Sequence, residues 1–347
     1  MSHISCGPRR ALGIFAAALF AMPVTQVLAQ ATDYPVEISN CQREIRFERS
    51  PERAVLIGQG TTEIMLSLGL AERIVGTGIW LAPLPEALAE AGASLPRLAD
   101  NSPSFEAVLG TRPDFVAAQW INDIAPEQAR VGTFRQFGDF GIPAYVSPAE
   151  CAKSDFSAGS GDGARSQAWT MDLLNREIEE LATIFDAQPA GQALIADNAA
   201  RIEAATGHAG ALQARDVSVL YWFSSPQVDG EAYVAGRFGA PAWISSVVGV
   251  RNVITSDEEW PLVGWETIIG LDPDVIVLGS MDRRRLPADD IAAKLAFLEN
   301  DPVARQLRAV RNGHLIEMSA HSMNPTLRAV DGVETLANGL REHGLTR

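Results

Sequence analysis

Ser104-Phe105-Glu106-Ala107-Val108-Leu109-Gly110-Thr111-Arg112-Pro113-Asp114-Phe115-Val116 is written again later in the chain as Gly264-Trp265-Glu266-Thr267-Ile268-Ile269-Gly270-Leu271-Asp272-Pro273-Asp274-Val275-Ile276. The shared skeleton is Glu, three residues, Gly, two residues, Pro-Asp and an apolar run. Each copy reads as a short helix that begins at the Glu and stops at the Gly. A Pro that cannot prolong the helix follows, then a buried strand, 115–118 or 275–278. One α/β step used twice implies two related halves, with Glu106 and Glu266 in equivalent places, one carboxylate per half. A carboxylate at a helix start also favours the macrodipole, which accounts for either Glu alone but not for the matched offset.

Working outward, the first half predicts strands at 54–58, 74–77, 97–99, 115–119 and 144–147, and helices at 63–68 and 126–137. The Ser-, Gly- and Asp-rich stretch 148–165, most flexible at Gly159-Ser160-Gly161-Asp162-Gly163, reads as a surface loop. Helices follow at 170–185 and 189–212, the second opening on Pro189 and suited to connect two lobes. The second half predicts strands at 217–223, 275–278 and 314–318, and helices at 240–248, 288–307 and 324–342. This alternation predicts an α/β fold with mostly parallel sheets: an N-terminal lobe over 32–187, a connecting helix over 188–212 and a C-terminal lobe over 213–347.

Among 347 residues, 28 Lys and Arg face 43 Asp and Glu, for a net charge of −15. Arg9 and Arg10 precede an apolar stretch, 11–24, and the small-residue pattern Val27-Leu28-Ala29, which reads as a secretory signal peptide over 1–29. Its removal leaves 26 basic residues and a net charge of −17. So acidic a chain disfavours nucleic acid as a partner. No other apolar run approaches a membrane span. Neither Cys6 nor Cys41 follows a lipobox, so a soluble periplasmic monomer is expected. Cys41 and Cys151 then meet an oxidising compartment and are expected to pair; no metal site is indicated.

In open parallel sheets, ligands collect at the carboxyl ends of strands. Those loops hold Gln59, Thr61, Trp80, Asn101 and Trp120 in the first half, and Trp222, Phe223, Tyr233, Arg237, Trp260 and His321 in the second. Any one Trp would serve equally in a core. Together, and from both halves, the aromatic residues read as the walls of a cleft for a bulky organic ligand. Arg237, flanked by glycines, reads with equal warrant as a contact for an anionic ligand or as a solvated loop charge. A hydrolase would need a Gly-x-Ser-x-Gly elbow, and a dinucleotide site a third glycine after Gly58-Gln59-Gly60; neither is present. A secreted α/β enzyme is the alternative of a different class.

Pro51-Glu52-Arg53-Ala54-Val55, Thr62-Glu63-Ile64 with Leu68-Gly69-Leu70, Ile74-Val75-Gly76, the two Glu and Pro-Asp segments, and Asn324-Pro325 form an ordered set. It resembles the periplasmic substrate-binding proteins of iron-siderophore and vitamin B12 ABC importers, from about Cys41 to the C-terminus. The resemblance implies two Rossmann-like lobes bridged by one long helix, a shallow cleft with limited closure, and no catalysis or cofactor. It also implies that Glu106 and Glu266 meet arginines of an inner-membrane permease dimer served by a separate ATPase. The cargo it implies is a ferric siderophore or similar metal chelate, with haem, held through Tyr233 or His321, and cobalamin as alternatives.

Overall fold

Val36–Asn40 (β1) and Arg43–Phe47 (β2) pair as a hairpin about Cys41 and Gln42, whose φ values of 48° and 63° suit a two-residue turn between twisted strands. Next come Ala54–Ile57 (β3), Gln59–Ser67 (α1), Ile74–Gly78 (β4), Glu86–Gly92 (α2), Arg97–Ala99 (β5), Phe105–Gly110 (α3), Phe115–Ala118 (β6), Phe134–Asp139 (α4) and Ala144–Val146 (β7). The five strands β5-β4-β3-β6-β7 form one parallel sheet. Alternation along β3 and β6 sends Ala54, Leu56, Phe115 and Ala117 into one apolar cluster and Val55, Ile57, Val116 and Ala118 into another. A parallel sheet is therefore covered on both faces, as its unbroken apolar runs require.

The computed structural model describes residues 1–3, 31–124, 129–154 and 162–346, and both sheets lie in one compact unit, Ala31–Arg347. Residues 4–29 of the expected signal segment, 126–128 of the helix expected at 126–137 and 155–161 of the loop expected at 148–165 fall outside the described residues. No described helix is long and apolar enough to cross a membrane. The helix expected at 126–137 is confined at its described end to α4, because Thr133 caps that helix with Gln136 in a reciprocal box.

Lys153–Ser154 (β8) and Ala164–Arg165 (β9) pair antiparallel, and Met171–Ile184 (α5), Gln188–Ala205 (α6) and Ala209–Ala214 (α7) follow. The connector expected at 188–212 thus ends at Ala205 and restarts after a turn that contains Gly207, the residue that stabilises helix interiors least after proline. The bridging role belongs to α6, which packs on α5 and on the last helix of the chain.

Lobe two comprises Ser218–Ser224 (β10), Ala232–Val234 (β11), Ala240–Val248 (α8), Arg251–Asn252 (β12), Leu262–Val263 (β13), Trp265–Leu271 (α9), Val275–Ser280 (β14), Ile291–Asn300 (α10), Arg308–Arg311 (α11), Leu315–Ser319 (β15) and Arg328–Glu342 (α12). Its sheet runs β13-β11-β10-β14-β15; β10, β14 and β15 are parallel, whereas β11 and β13 pair antiparallel. The link from β10 to β11 is too short for a crossover and makes a hairpin instead. The helix expected at 288–307 stops at Asn300, where Asp301-Pro302 interrupts it.

Cys41 and Cys151 form a disulfide across a sequence separation of 110, tying the hairpin turn to the end of lobe one. Nearby, α5 buries Glu177, which accepts hydrogen bonds from Thr61 Oγ1 at 3.0 Å and from the Ser147 hydroxyl. Burial raises this carboxyl from 4.5 to about 7, against the pull of those two hydroxyls. The native state therefore holds a proton that the unfolded chain releases. Stability from this group is complete below pH ~4.5 and is lost as pH rises through about 7. Glu177→Gln should remove that slope: relative to the variant, the natural chain should lose on the order of 3 kcal/mol between pH ~4.5 and ~8 in denaturant melts.

Candidate functional site

A cavity of about 410 Å³ has Phe223, Tyr233, Trp260 and His321 of lobe two on its walls with Leu81 and Ala82 of lobe one. An adjoining cavity of about 710 Å³ adds Ile79, Asn101, Ser102, Trp120, Asn122, Arg130 and Glu150. Leu81, Asp162, Phe223, Trp260, Arg283, Arg285 and Asn324 line both, which makes them one cleft between the two sheets. The cleft lies at the carboxyl ends of β3, β6, β10 and β14, where the strand order of each lobe reverses direction.

Phe223 and Trp260 stack with centroids 4.3 Å apart, giving the cleft a flat aromatic wall. Opposite in charge to the chain as a whole, Arg130, Arg283 and Arg285 enter it. Arg283 crosses to lobe one, donating to Asp100 O at 2.8 Å and Trp80 O at 3.2 Å, and both Arg283 and Arg285 donate to the Asn101 side chain. His321 is 3% exposed, and neither ring nitrogen has a hydrogen-bond partner among the described residues. Burial, reinforced by the Arg328 cation, lowers its pKa to about 3, so the ring is neutral.

Two sets of buried charges hold the lobes around this cleft. Glu63 of α1 receives two bonds of 2.8 Å from Arg328 of α12. Across the other side, Arg165 and Lys153 meet Glu259 at 2.6 and 3.3 Å, and Lys153 meets Glu150 at 2.7 Å, all four side chains being at most 3% exposed. Burial raises the Glu150 pKa in spite of these cations; for Glu259, burial acts the same way but Arg165 and Lys153 outweigh it and hold the carboxyl below its usual value.

The family described as periplasmic binding protein matches residues 55–321. The chain belongs to that family. A cobalamin-binding protein of Halobacterium salinarum is 25% identical over 315 residues, covering 89% of this chain and 75% of the relative. A periplasmic binding protein from Veillonella parvula superposes with a TM-score of 0.72 at 22% identity, covering 89% of this chain and 97% of that one. An ABC-type Fe3+-hydroxamate transport system structure from Saccharomonospora viridis gives 0.68 at 24% identity, covering 89% and 99%.

In this periplasmic binding protein, the cleft gathers six of the expected contacts: Asn101, Trp120, Phe223, Tyr233, Trp260 and His321. Five lie off it. Trp222 is fully buried against Trp265, because alternation along β10 turns it into the lobe core. Gln59 is buried at the start of α1, accepting from Leu81 N and Ala82 N at 2.8 and 3.0 Å and so holding the cleft loop in place. Thr61 is committed to Glu177. Trp80 is 6% exposed, with Nε1 donating to Thr77 Oγ1 at 3.1 Å and Arg97 over its ring. Arg237 pairs with Asp257 and lines a separate hollow beside Arg251.

Sequence reasoning missed Arg283, Arg285 and Arg130. The loop directly after β14 carries the first two, so the carboxyl-end rule applied to that strand finds them. Arg165→Met should cost about 3–5 kcal/mol in chemical unfolding, because it strands Glu259 and Glu150 in the interior with Lys153 alone.

Proposed function

We propose that this binding protein works in the periplasm, captures an organic metal chelate in the cleft and hands it to an inner-membrane ABC permease through Glu106 and Glu266. The observation that carries the reading is a cleft in which a stacked aromatic wall faces three arginines, a combination suited to a large ligand with flat faces and acidic groups at its rim. A ferric siderophore fits that description. A metallated macrocycle fits it too, its flat faces matching the Phe223–Trp260 stack.

The docking role rests on matched exposure. Glu106 and Glu266 are both exposed, in the first turns of α3 and α9, and neither forms a hydrogen bond or ion pair among the described residues. Each helix leads back into a central strand, so its first turn stands at the carboxyl edge that also borders the cleft. Basic side chains on a permease would meet them there, with Coulomb steering that fades with salt.

Titration of the purified chain by tryptophan fluorescence against ferric hydroxamates, ferric catecholates, haem and cobalamin tests the capture step; saturable binding of none of them would sink it. Glu106→Lys with Glu266→Lys should abolish uptake in cells while leaving chelate affinity nearly unchanged. A parallel loss of affinity would remove the docking role.

A further inference from the structure

Of the 28 basic residues, 26 are arginines, and the two lysines, Lys153 and Lys294, both lie in the interior. Arginine does not lose its proton in a protein, whereas lysine does, and lysine presents three hydrogens from one nitrogen. Lys153 belongs to the charge cluster between the lobes: burial pulls its pKa down, but Glu150 and Glu259 outweigh burial and hold it above the usual value. Lys294, fully buried on α10, instead donates to three backbone carbonyls, Trp222 O at 3.2 Å, Phe223 O at 2.6 Å and Gly279 O at 2.5 Å.

Two local departures from a regular sheet bring those carbonyls together. Successive carbonyls of a regular strand point to opposite sides, so neighbours do not share one donor. The pairing of β10 with β11 shifts register between Trp222 and Ser224, and this bulge lets Trp222 and Phe223 do so. Gly279 supplies the third carbonyl, and a Cβ there would stand 2.8 Å from Phe223 O. The cradle lies where β10 and β14 run out toward the cleft. Phe223 stacks on Trp260 in the cleft wall, and Ser280, next after Gly279, opens the loop that carries Arg283 and Arg285. One ammonium therefore ties the aromatic wall to the arginine loop.

Two carboxylates act on Lys294 from farther off, Asp289 in the turn ahead of α10 and Glu317 on β15. Asp289 is occupied by the Ser224 hydroxyl and by the backbone N–H groups of Arg285 and Leu286. β14 carries no ionisable side chain, and Tyr221 of β10 turns to the opposite face, where it meets Ser245 Oγ at 2.8 Å. Arg305, in the turn Ala304–Gln306 packed on α10, is exposed. Burial outweighs both acids and lowers the lysine to about 7.

We infer that Lys294 is a proton-controlled positioning residue: protonated, it clamps the ends of β10 and β14 and sets the cleft wall, and on losing its proton to water it releases them. The neutral amine keeps two hydrogens and gains a lone pair, so one of the three carbonyls loses its donor. The clamp is complete on the acid side of about 7 and is lost as pH rises through that value. Cargo is then held more tightly at acid pH, a consequence that rests on the reading of the cleft as a chelate site.

The test uses the full chain without its signal segment, grown with isotope-labelled lysine and followed by NMR from about pH 5.5 to 9. Two lysines give two side-chain signals, and Lys153→Arg identifies them. The Lys294 signal should titrate near pH 7 while that of Lys153 stays protonated. Near-ultraviolet circular dichroism, which reads the Phe223–Trp260 stack, should change with the same midpoint, a coincidence that needs no variant at Lys294. Lys294→Gln, whose amide has two hydrogens and no proton to lose, should abolish the transition. Glu177→Gln, which removes the other buried group brought to about 7, should leave it in place. Affinity for cyanocobalamin and for a ferric hydroxamate should fall roughly tenfold across the transition in the natural chain and stay level in Lys294→Gln.

A Lys294 signal still protonated at pH ~9, or a dichroism spectrum that stays still while the lysine titrates, would overturn the inference. So would a transition that persists in Lys294→Gln. Binding of neither chelate would remove the cargo reading and leave the clamp to be decided by the two measurements made without ligand.

Discussion

In each lobe, the carboxylate that follows the proline of the doubled segment holds down the start of the first strand of that lobe's main sheet, β3 or β10. Asp114 accepts from the backbone N–H groups of Glu52 and Arg53 at 3.0 and 2.7 Å, and Asp274 accepts from the backbone and hydroxyl of Ser218 at 3.0 and 2.7 Å. The return bond is also duplicated, from Asp114 N to Arg53 O and from Asp274 N to Ser218 O. The residue two before each Asp is left-handed, Arg112 at φ 52° and Asp272 at φ 39°, and an arginine, Arg53 or Arg308, donates to its carbonyl. This clamp sets the register of β3 against β6 and of β10 against β14. A slip by one residue would send every side chain of those strands to the wrong face.

Once the central pairs are in register, their carboxyl ends and the loops after them converge on the cleft. The walls then depend on how the lobes are joined. Single hinges between α/β lobes commonly permit large motions, but here Glu63–Arg328 on one side and the four-charge cluster of Glu150, Lys153, Arg165 and Glu259 on the other both cross between lobes within the protein interior. Opening the lobes would break several charge-assisted hydrogen bonds at once, each stronger than a neutral one. Arg201 of α6 adds a third tie, reaching Asp331 and Glu334 of α12 at 2.6 and 2.7 Å. The cleft is accordingly built more as a fixed jaw than as a freely swinging one.

The fold was legible in the sequence because a parallel sheet writes its strands as short apolar runs between turn residues, and because the same step appears twice. Helix breaks were less legible. Gly207 and Asp301-Pro302 interrupt patterns whose apolar spacing continues across them, and periodicity alone does not register the interruption. The candidate site was legible to the level of loops, not of side chains. At the end of β10, Trp222 and Phe223 are adjacent and equally aromatic, yet the two-residue period sends one into the core and the other into the cleft. Gln59 and Thr61 stand at the expected strand end but spend their polar groups on a loop and on buried Glu177, partners many residues away that no local pattern reveals. The Asp of each Pro-Asp pair, read from sequence only as a strand start, proves to be the clamp itself.

The cleft carries both signs of charge, Arg130, Arg283 and Arg285 sharing its walls with Asp162, Asp282, Asp289 and Glu150. A net charge of −15 repels anions at long range, whereas Arg130, Arg283 and Arg285 gather on a wall with apolar neighbours, where screening is weaker than in open solvent. The acids nearby are partly spent: Asp289 accepts from the backbone N–H groups of Arg285 and Leu286, and Glu150 is paired with Lys153. Beneath the floor, the Lys294 ammonium donates to the carbonyls of Trp222, Phe223 and Gly279, tying together the ends of β10 and β14. Burial lowers its pKa to about 7, and the three carbonyl acceptors are those a protonated amine satisfies with all three of its hydrogens. With burial pulling its pKa down to about 7, the amine is only partly charged near neutrality, so what it contributes there is chiefly the hydrogen bonds that fix the ends of β10 and β14, and with them the position of Phe223 on the cleft wall.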